Sequence, residues 1–226
     1  MAPPTGPTVL DFESLDVSKI TFSDVKVMEP NKNKMVYLNY NNKPLFITTK
    51  TMRLPFGLSS YPKDSDDYSI QPSVDEENGA TLEKINEIEE HIVNHAFGKS
   101  MEWFTKKFAS AKILADANFQ SVISYSKDKD GEVNNAYPPT LKFKIAKDCD
   151  AFYGKDQPCK INPETIVKNC KVKTIVRLAT IWIVGSRFGV SWKAQQIHVT
   201  LPKASTKPTF VFDEDDDDCG DEHEQV

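Results

Sequence analysis

Residues 172–201, VKTIVRLATIWIVGSRFGVSWKAQQIHVTL, decide the fold. Two long runs rich in β-branched and aromatic residues, Val172–Val184 and Val190–Leu201, flank the connector Gly185-Ser186-Arg187-Phe188-Gly189. Such runs, separated by a glycine-bounded connector, read as two long strands of a hairpin. Lys171, Lys173 and Arg177 fall on one side of the first strand, because side chains alternate with a period of two.

Upstream, the body continues mostly as strands. Asp148–Lys171 contains Pro158 and Pro163 and reads as irregular. Thr140–Lys147 and Gln120–Ser126 read as strands around the turn Lys127-Asp128-Lys129-Asp130-Gly131. The one strong helical signal is Thr81–Phe97, where Leu82, Ile85, Ile88, Ile92, Val93 and Ala96 recur at helical spacing and Gly98 stops the run. Ser100 suits the N-cap of a second helix over Met101–Phe108. Further toward the N-terminus, Tyr68–Val74 reads as an edge strand because it contains Pro72. Leu54–Asp67 reads as a loop. Met35–Tyr40 and Leu45–Arg53 read as a hairpin around Asn41-Asn42-Lys43-Pro44, and Ile20–Val27 as a strand with one slip in its alternation. Strands, a helical excursion, then strands again predict a mainly β fold. The expected form is a partly open, five-stranded barrel of the oligonucleotide/oligosaccharide-binding (OB) type, with a helix or helix pair inserted at about 81–109. The expected organisation is a flexible leader (1–17), one barrel domain (18–202), and a linker with an acidic tail (203–226).

The charge is divided unevenly. The 226 residues include 28 basic and 33 acidic side chains, a net of −5. Nine of the acids are Asp213, Glu214, Asp215, Asp216, Asp217, Asp218, Asp221, Glu222 and Glu224, and no Lys or Arg lies among them. Residues 1–212 therefore hold 24 acids against 28 bases, a body of +4. A block of like charges stays disordered and acts as an interaction tail or a solubiliser. On a basic body it can imitate a nucleic-acid backbone. The size suits one large domain or two small ones. No run approaches the ~18 apolar residues of a membrane span, and Met1–Pro7 lacks the regions of a secretory signal.

Catalytic and metal signals are sparse. No Walker A loop, H-E-x-x-H, G-x-S-x-G or G-x-G-x-x-G is present. Glu87, His91 and His95 form a stripe at helical spacing, which reads as a solvated polar flank. Cys149, Cys159, Cys170 and His198 match no zinc finger or ribbon, and the cysteines read as small core residues of a reducing, intracellular setting. The expectation is a protein without enzymatic activity, cofactor or metal.

Basic and aromatic residues, in contrast, recur together. Lys50, Arg53 and Phe56 lie at the end of the predicted hairpin and in its loop, with Tyr37 on the strand before it. Lys142 and Lys144 face opposite to Leu141, Phe143 and Ile145; Lys173 and Arg177 share a face; Arg187, Phe188, Trp192 and Lys193 cluster at the final hairpin. Single-strand binders combine cations that follow the phosphates with aromatics on which bases stack. Taken singly, Phe143 and Trp192 suit the core.

Two segments, Met52-Arg53-Leu54-Pro55-Phe56-Gly57-Leu58 and Ile181–Lys193, together with a strand-rich body, an inserted helix and an acidic tail, resemble the acidic-tailed single-stranded DNA-binding proteins of podophages. Versions of these occur in nucleocytoplasmic large DNA viruses, including algal viruses. The resemblance implies an OB barrel that coats single-stranded DNA in viral replication, recombination and repair. It implies a location in the host nucleus or a cytoplasmic viral factory, and a homodimer. It also implies a tail, with Phe212 before the acids, that contacts a polymerase or helicase and competes with DNA. The podophage tail ends in an aromatic residue, whereas this chain ends Glu222-His223-Glu224-Gln225-Val226. The alternatives are a virion structural or acidic-tailed interaction protein and, third, a metal-dependent nuclease using carboxylates.

Overall fold

The computed structural model describes residues 9–60, 62, 65–154 and 157–202. In chain order these form β1 (Val9–Asp11), β2 (Ile20–Phe22), β3 (Lys26–Met28), β4 (Asn33–Tyr40), β5 (Leu45–Thr48), β6 (Met52–Leu54), β7 (Leu58–Ser60) and β8 (Tyr68–Ile70). The helices α1 (Gly79–Gly98), α2 (Ser100–Phe104) and α3 (Ala111–Asn118) follow. Then come β9 (Phe119–Gln120), β10 (Ile123–Ser124), β11 (Thr140–Leu141), β12 (Phe143–Tyr153), β13 (Gln157–Cys159), β14 (Cys170–Val184) and β15 (Arg187–Thr200).

The quoted hairpin, β14 and β15, is the spine. Its antiparallel ladder runs from Val184 opposite Arg187 to Lys171 opposite Thr200. On its other edge β14 pairs antiparallel with β4, β5 and β6 in succession. β15 pairs in parallel with β12, and β12 pairs antiparallel with β8. Just beyond β8, the Ser73 N–H donates to the Arg53 carbonyl at 2.8 Å, which brings β8 back to β6. The sheet thus closes through one bridge into a partly open barrel of five staves: residues 33–54, β8, β12, β14 and β15. Around the barrel, the first stave lies between β14 and β8, and the third and fifth staves are parallel. The helical segment is inserted between the second and third staves. This is a mainly β fold of the OB type, as the strand order predicts.

Alternation builds the core. Along β14, Cys170, Val172, Thr174, Val176 and Leu178 point inward and are buried, while Lys171, Lys173, Ile175 and Arg177 point out. The register slips at Ala179, a β-bulge that reverses the parity. Beyond it Ile181 and Ile183 are buried, and Thr180, Trp182 and Val184 take the outer side. α1 adds Ile85, Ile88, Ile92 and Ala96, all 0% exposed, to the same cluster. Among the described residues no helix is long and apolar enough to cross a membrane.

Several expectations change. The predicted hairpin of 35–40 with 45–53 is not one. β4 and β5 both run antiparallel to β14, so they point the same way and form one stave. Asn41 and Asn42, at φ 49 and 62, make a tight loop closed by Tyr40 and Lys43 that bulges out without reversing the chain. The long β14 edge is the better partner for both. Residues 9–17, expected as leader, belong to the barrel: β1 runs parallel to β5, and Phe12, Leu15 and Val17 are buried. Ile20–Val27 is split into β2 and β3, both paired with β4. The second helix ends at Phe104, where Thr105 takes a left-handed φ of 55, and Ser100 lies within it. α3 was not anticipated; the Ser110 hydroxyl caps it by accepting the Ile113 N–H at 3.2 Å. β12 continues through Asp148–Tyr153 and turns back as β13, where irregular chain was expected.

Candidate nucleic-acid interface

Three cations meet in one register row on the outer face. Arg177 of β14 lies opposite Lys193 of β15, and Lys193 lies opposite Lys144 of β12. Neighbouring strands are about 4.8 Å apart, so the row crosses roughly 10 Å. Phe46 of β5 continues it, with the Arg177 guanidinium 5.9 Å from the ring centroid. Lys142 stands on the same side, two residues before Lys144. Further along β14, Lys173 lies opposite His198, which lies opposite Phe152, and Lys171 lies opposite Thr200 and Arg53. At about 3.3 Å per residue, Lys171 to Arg177 spans roughly 20 Å.

Among the described residues, no ion pair engages Lys142, Lys144, Lys171, Lys173, Arg177 or Lys193. Like charges directly opposite on a ladder are destabilising. The barrel therefore holds a row of mutually repelling cations that a polyanion would relieve. One acid, Asp150, shares the face, opposite Gln196.

The other candidates are placed as follows. Arg53 spends its guanidinium on the Asn169 Oδ1, at 2.6 and 3.2 Å. Lys50 is paired with Glu13 at 2.6 Å and shares a cleft of about 420 Å³ with Lys173. Phe56 is exposed in the turn after β6, and Arg187 is exposed at the hairpin end. Tyr37 is on the outer face opposite Thr180, with the Lys26 ammonium 4.9 Å from its ring centroid. Phe188 and Trp192 are withdrawn from any stacking role, because they are 0% and 1% exposed in the core. Each follows or precedes an outward cation, Arg187 or Lys193, and so must point inward. The tail residues Phe212–Glu224 lie outside the described residues.

Above the cation row is a cleft of about 430 Å³ lined by Tyr68, Gln120, Lys142, Lys144, Trp182 and Ser191. Trp182 is half-buried and faces out, a placement the bulge at Ala179 hides from sequence reading. The cleft wall at 121–123 is pinned by a buried carboxylate. Glu89 of α1, 7% exposed, accepts the Val122 N–H at 2.8 Å and the Ser121 hydroxyl at 2.7 Å. The Ser121 Oγ in turn accepts the Ile123 N–H at 2.9 Å. Burial raises the Glu89 pKa above its ordinary 4.5, against the two hydrogen bonds. The folded state then holds this proton more tightly than the unfolded chain does. The group's contribution to stability is full below about pH 4.5 and declines as pH rises through the raised value. Glu89→Gln should flatten that decline in urea unfolding compared between pH 4 and pH 8. Glu89→Ala, which strands the Val122 N–H, should cost about 1–3 kcal/mol.

Of the stripe read as a solvated flank, Glu87 is exposed, but His91 and His95 are half-buried. His95 stacks on Phe22 at 3.8 Å between centroids and tilts against Trp103, and desolvation lowers its pKa. Burial pushes the Cys149 thiol up to about 12 and the Cys170 thiol to about 11, which makes both poor nucleophiles. Among the described residues no three His, Cys, Asp or Glu side chains are grouped to hold a metal.

Stave order and surface chemistry together define an OB-type barrel with a cationic outer face. The chain belongs to a family of unknown function (DUF5871), which it matches over residues 66–213. No curated protein matches the sequence. Among solved structures it is similar to gp2.5, a single-stranded DNA-binding protein encoded by bacteriophage T7, with 12% identity and a TM-score of 0.43 over 72% of this chain and 91% of that one. It is also similar to the single-stranded DNA-binding protein from bacteriophage Enc34, with 14% identity and a TM-score of 0.44 over 82% of this chain and 96% of that one. The same Enc34 protein in complex with single-stranded DNA matches with 12% identity and a TM-score of 0.43, over 79% of this chain and 95% of that one.

Proposed function

We propose that the protein binds single-stranded DNA across the outer face of β12, β15 and β14, with little sequence preference and without chemistry on the strand. The observation that carries this reading is the row Lys144, Lys193 and Arg177: three cations in register that no ion pair engages among the described residues. Phe46, Phe152 and Trp182 are half-buried on the same face. Their rings are of use to unpaired bases, since in a duplex the base faces are already stacked. The acidic segment 213–224 completes the proposal as a tethered competitor for this face and a contact for replication proteins such as a polymerase or helicase. The setting is viral DNA replication, recombination and repair within the infected cell, with the protein acting as a dimer.

Anisotropy of a labelled oligo-dT strand, compared with a duplex of equal length, tests the core of the proposal. The strand should bind more tightly than the duplex, and its affinity should fall steeply with salt. Equal affinity for both would favour an interaction or chaperone protein that merely attracts polyanions.

A further inference from the structure

We infer that Trp182 is a preset platform on which one unpaired base stacks, between phosphates held by Lys142 and Lys144; this rests on the proposed function. The first ground is the way the ring is seated. Trp182 lies directly opposite Gly189 on β15. A Cβ built at Gly189 would stand 2.7 Å from the Trp182 Cζ2 and 3.0 Å from its Cε2. The six-membered ring of Trp182 therefore occupies the space over Gly189 that the side chain of any other residue would fill. The same Cβ would stand 2.9 Å from the Gln120 carbonyl, so β9 closes in beside the ring.

The second ground is what the ring lacks. Trp103 and Trp192 are 3% and 1% exposed and each packs against other aromatic rings. Trp182 is half-buried, and among the described residues no aromatic ring stacks on it. With its six-membered ring seated over Gly189 and the half-buried indole lining the cleft, the exposed part of the ring system is open to a flat ligand. Lys142 and Lys144 line the same cleft, as do the polar Gln120 and Ser191. A flat apolar surface flanked by two ammonium groups suits a nucleobase in a single strand, not phosphate alone. Gly189 also favours preorganisation: the ring already occupies the seat over β15 in the free protein, and a side chain ordered before binding loses less entropy on binding.

The placement supplies its own probe, because Trp182 is the one tryptophan of the three that a ligand can reach. Intrinsic tryptophan fluorescence is titrated with oligo-dT alongside anisotropy of a labelled strand. Quenching should track binding in the unaltered protein. Trp182→Phe should bind while losing the quenching. Trp182→Ala should bind roughly 5- to 140-fold more weakly, the range for loss of one stacked base. For a strand of abasic sites, the two proteins should differ little. Gly189→Ala, which lifts the ring without removing it, should weaken binding of the normal strand toward the Trp182→Ala level. If the labelled strand binds with no change in fluorescence and Trp182→Ala binds as well as the parent, the platform is overturned while the proposed function stands. If the labelled strand does not bind at all, both fall.

Discussion

Replacing Lys144, Arg177 and Lys193 together by Ala should lower affinity for an oligo-dT strand by about 500-fold at 50 mM salt. The arithmetic follows from counterion release. Each phosphate neutralised on a single strand contributes about 0.7 to the slope of log affinity against log salt, so three lost contacts lower the slope by about 2. From 1 M down to 50 mM salt is about 1.3 decades, and the product is roughly 2.7 decades of affinity. The fold should not suffer, because the three side chains repel one another across the ladder and make no ion pair among the described residues. An unchanged slope in a salt titration would place the DNA on another face. A reduced slope with reduced thermal stability would show the row to be structural as well.

The second large effect concerns stability. Trp192→Ala should destabilise the barrel by about 3–5 kcal/mol, the usual range for deleting a large buried aromatic. Its ring centroid lies 6.2 Å from that of Phe12, just after β1, and 6.1 Å from that of Phe143 on β12, so its loss opens a hole between these two rings and β15. Lys193→Ala, one residue along and on the other face, should change stability by less than about 0.5 kcal/mol. Equal urea midpoints for the two variants would contradict the inward placement of Trp192. Trp192→Phe should be milder, since the buried indole Nε1 has no hydrogen-bond partner among the described residues and its removal strands none of them.

What sequence reading reached and what it missed follow from one rule and its exceptions. Period-two alternation put Lys142 and Lys144 opposite Leu141 and Phe143, and Lys171, Lys173 and Arg177 on one side, and the structure agrees. The same rule, applied to Arg187-Phe188 and Trp192-Lys193, excludes both aromatics from a face shared with those cations. Grouping residues by proximity along the chain obscured this. Trp182 shows the opposite failure. Counted from the inward Val172, position 182 has inward parity, and only the bulge at Ala179 turns it out. A bulge is set by the register of the partner strand, which a single chain read locally does not contain. The hairpin mistaken at Asn41-Asn42 has the same origin. The turn residues signal a tight loop correctly, but whether the chain reverses there depends on β14, some 130 residues away. α1 was legible to within two residues at its start and one at its end because its pattern is local; residues 9–17 were not, because β1 is only three residues long and rests on a parallel neighbour.

The stave built from β4, β5 and β6 has a consequence for how the protein is made. Its antiparallel partner begins at Cys170, which pairs with Leu54 roughly 115 residues earlier in the chain. A ribosome adding about 5–20 residues per second delivers β14 some 6–25 s after β6. Through that interval Val36, Leu38, Leu45, Ile47 and Met52 have no barrel to enter, and an open strand edge waits beside them. The central β14–β15 spine arrives last, so translation speed sets how long the first third of the nascent chain must stay out of reach of its neighbours on the polysome.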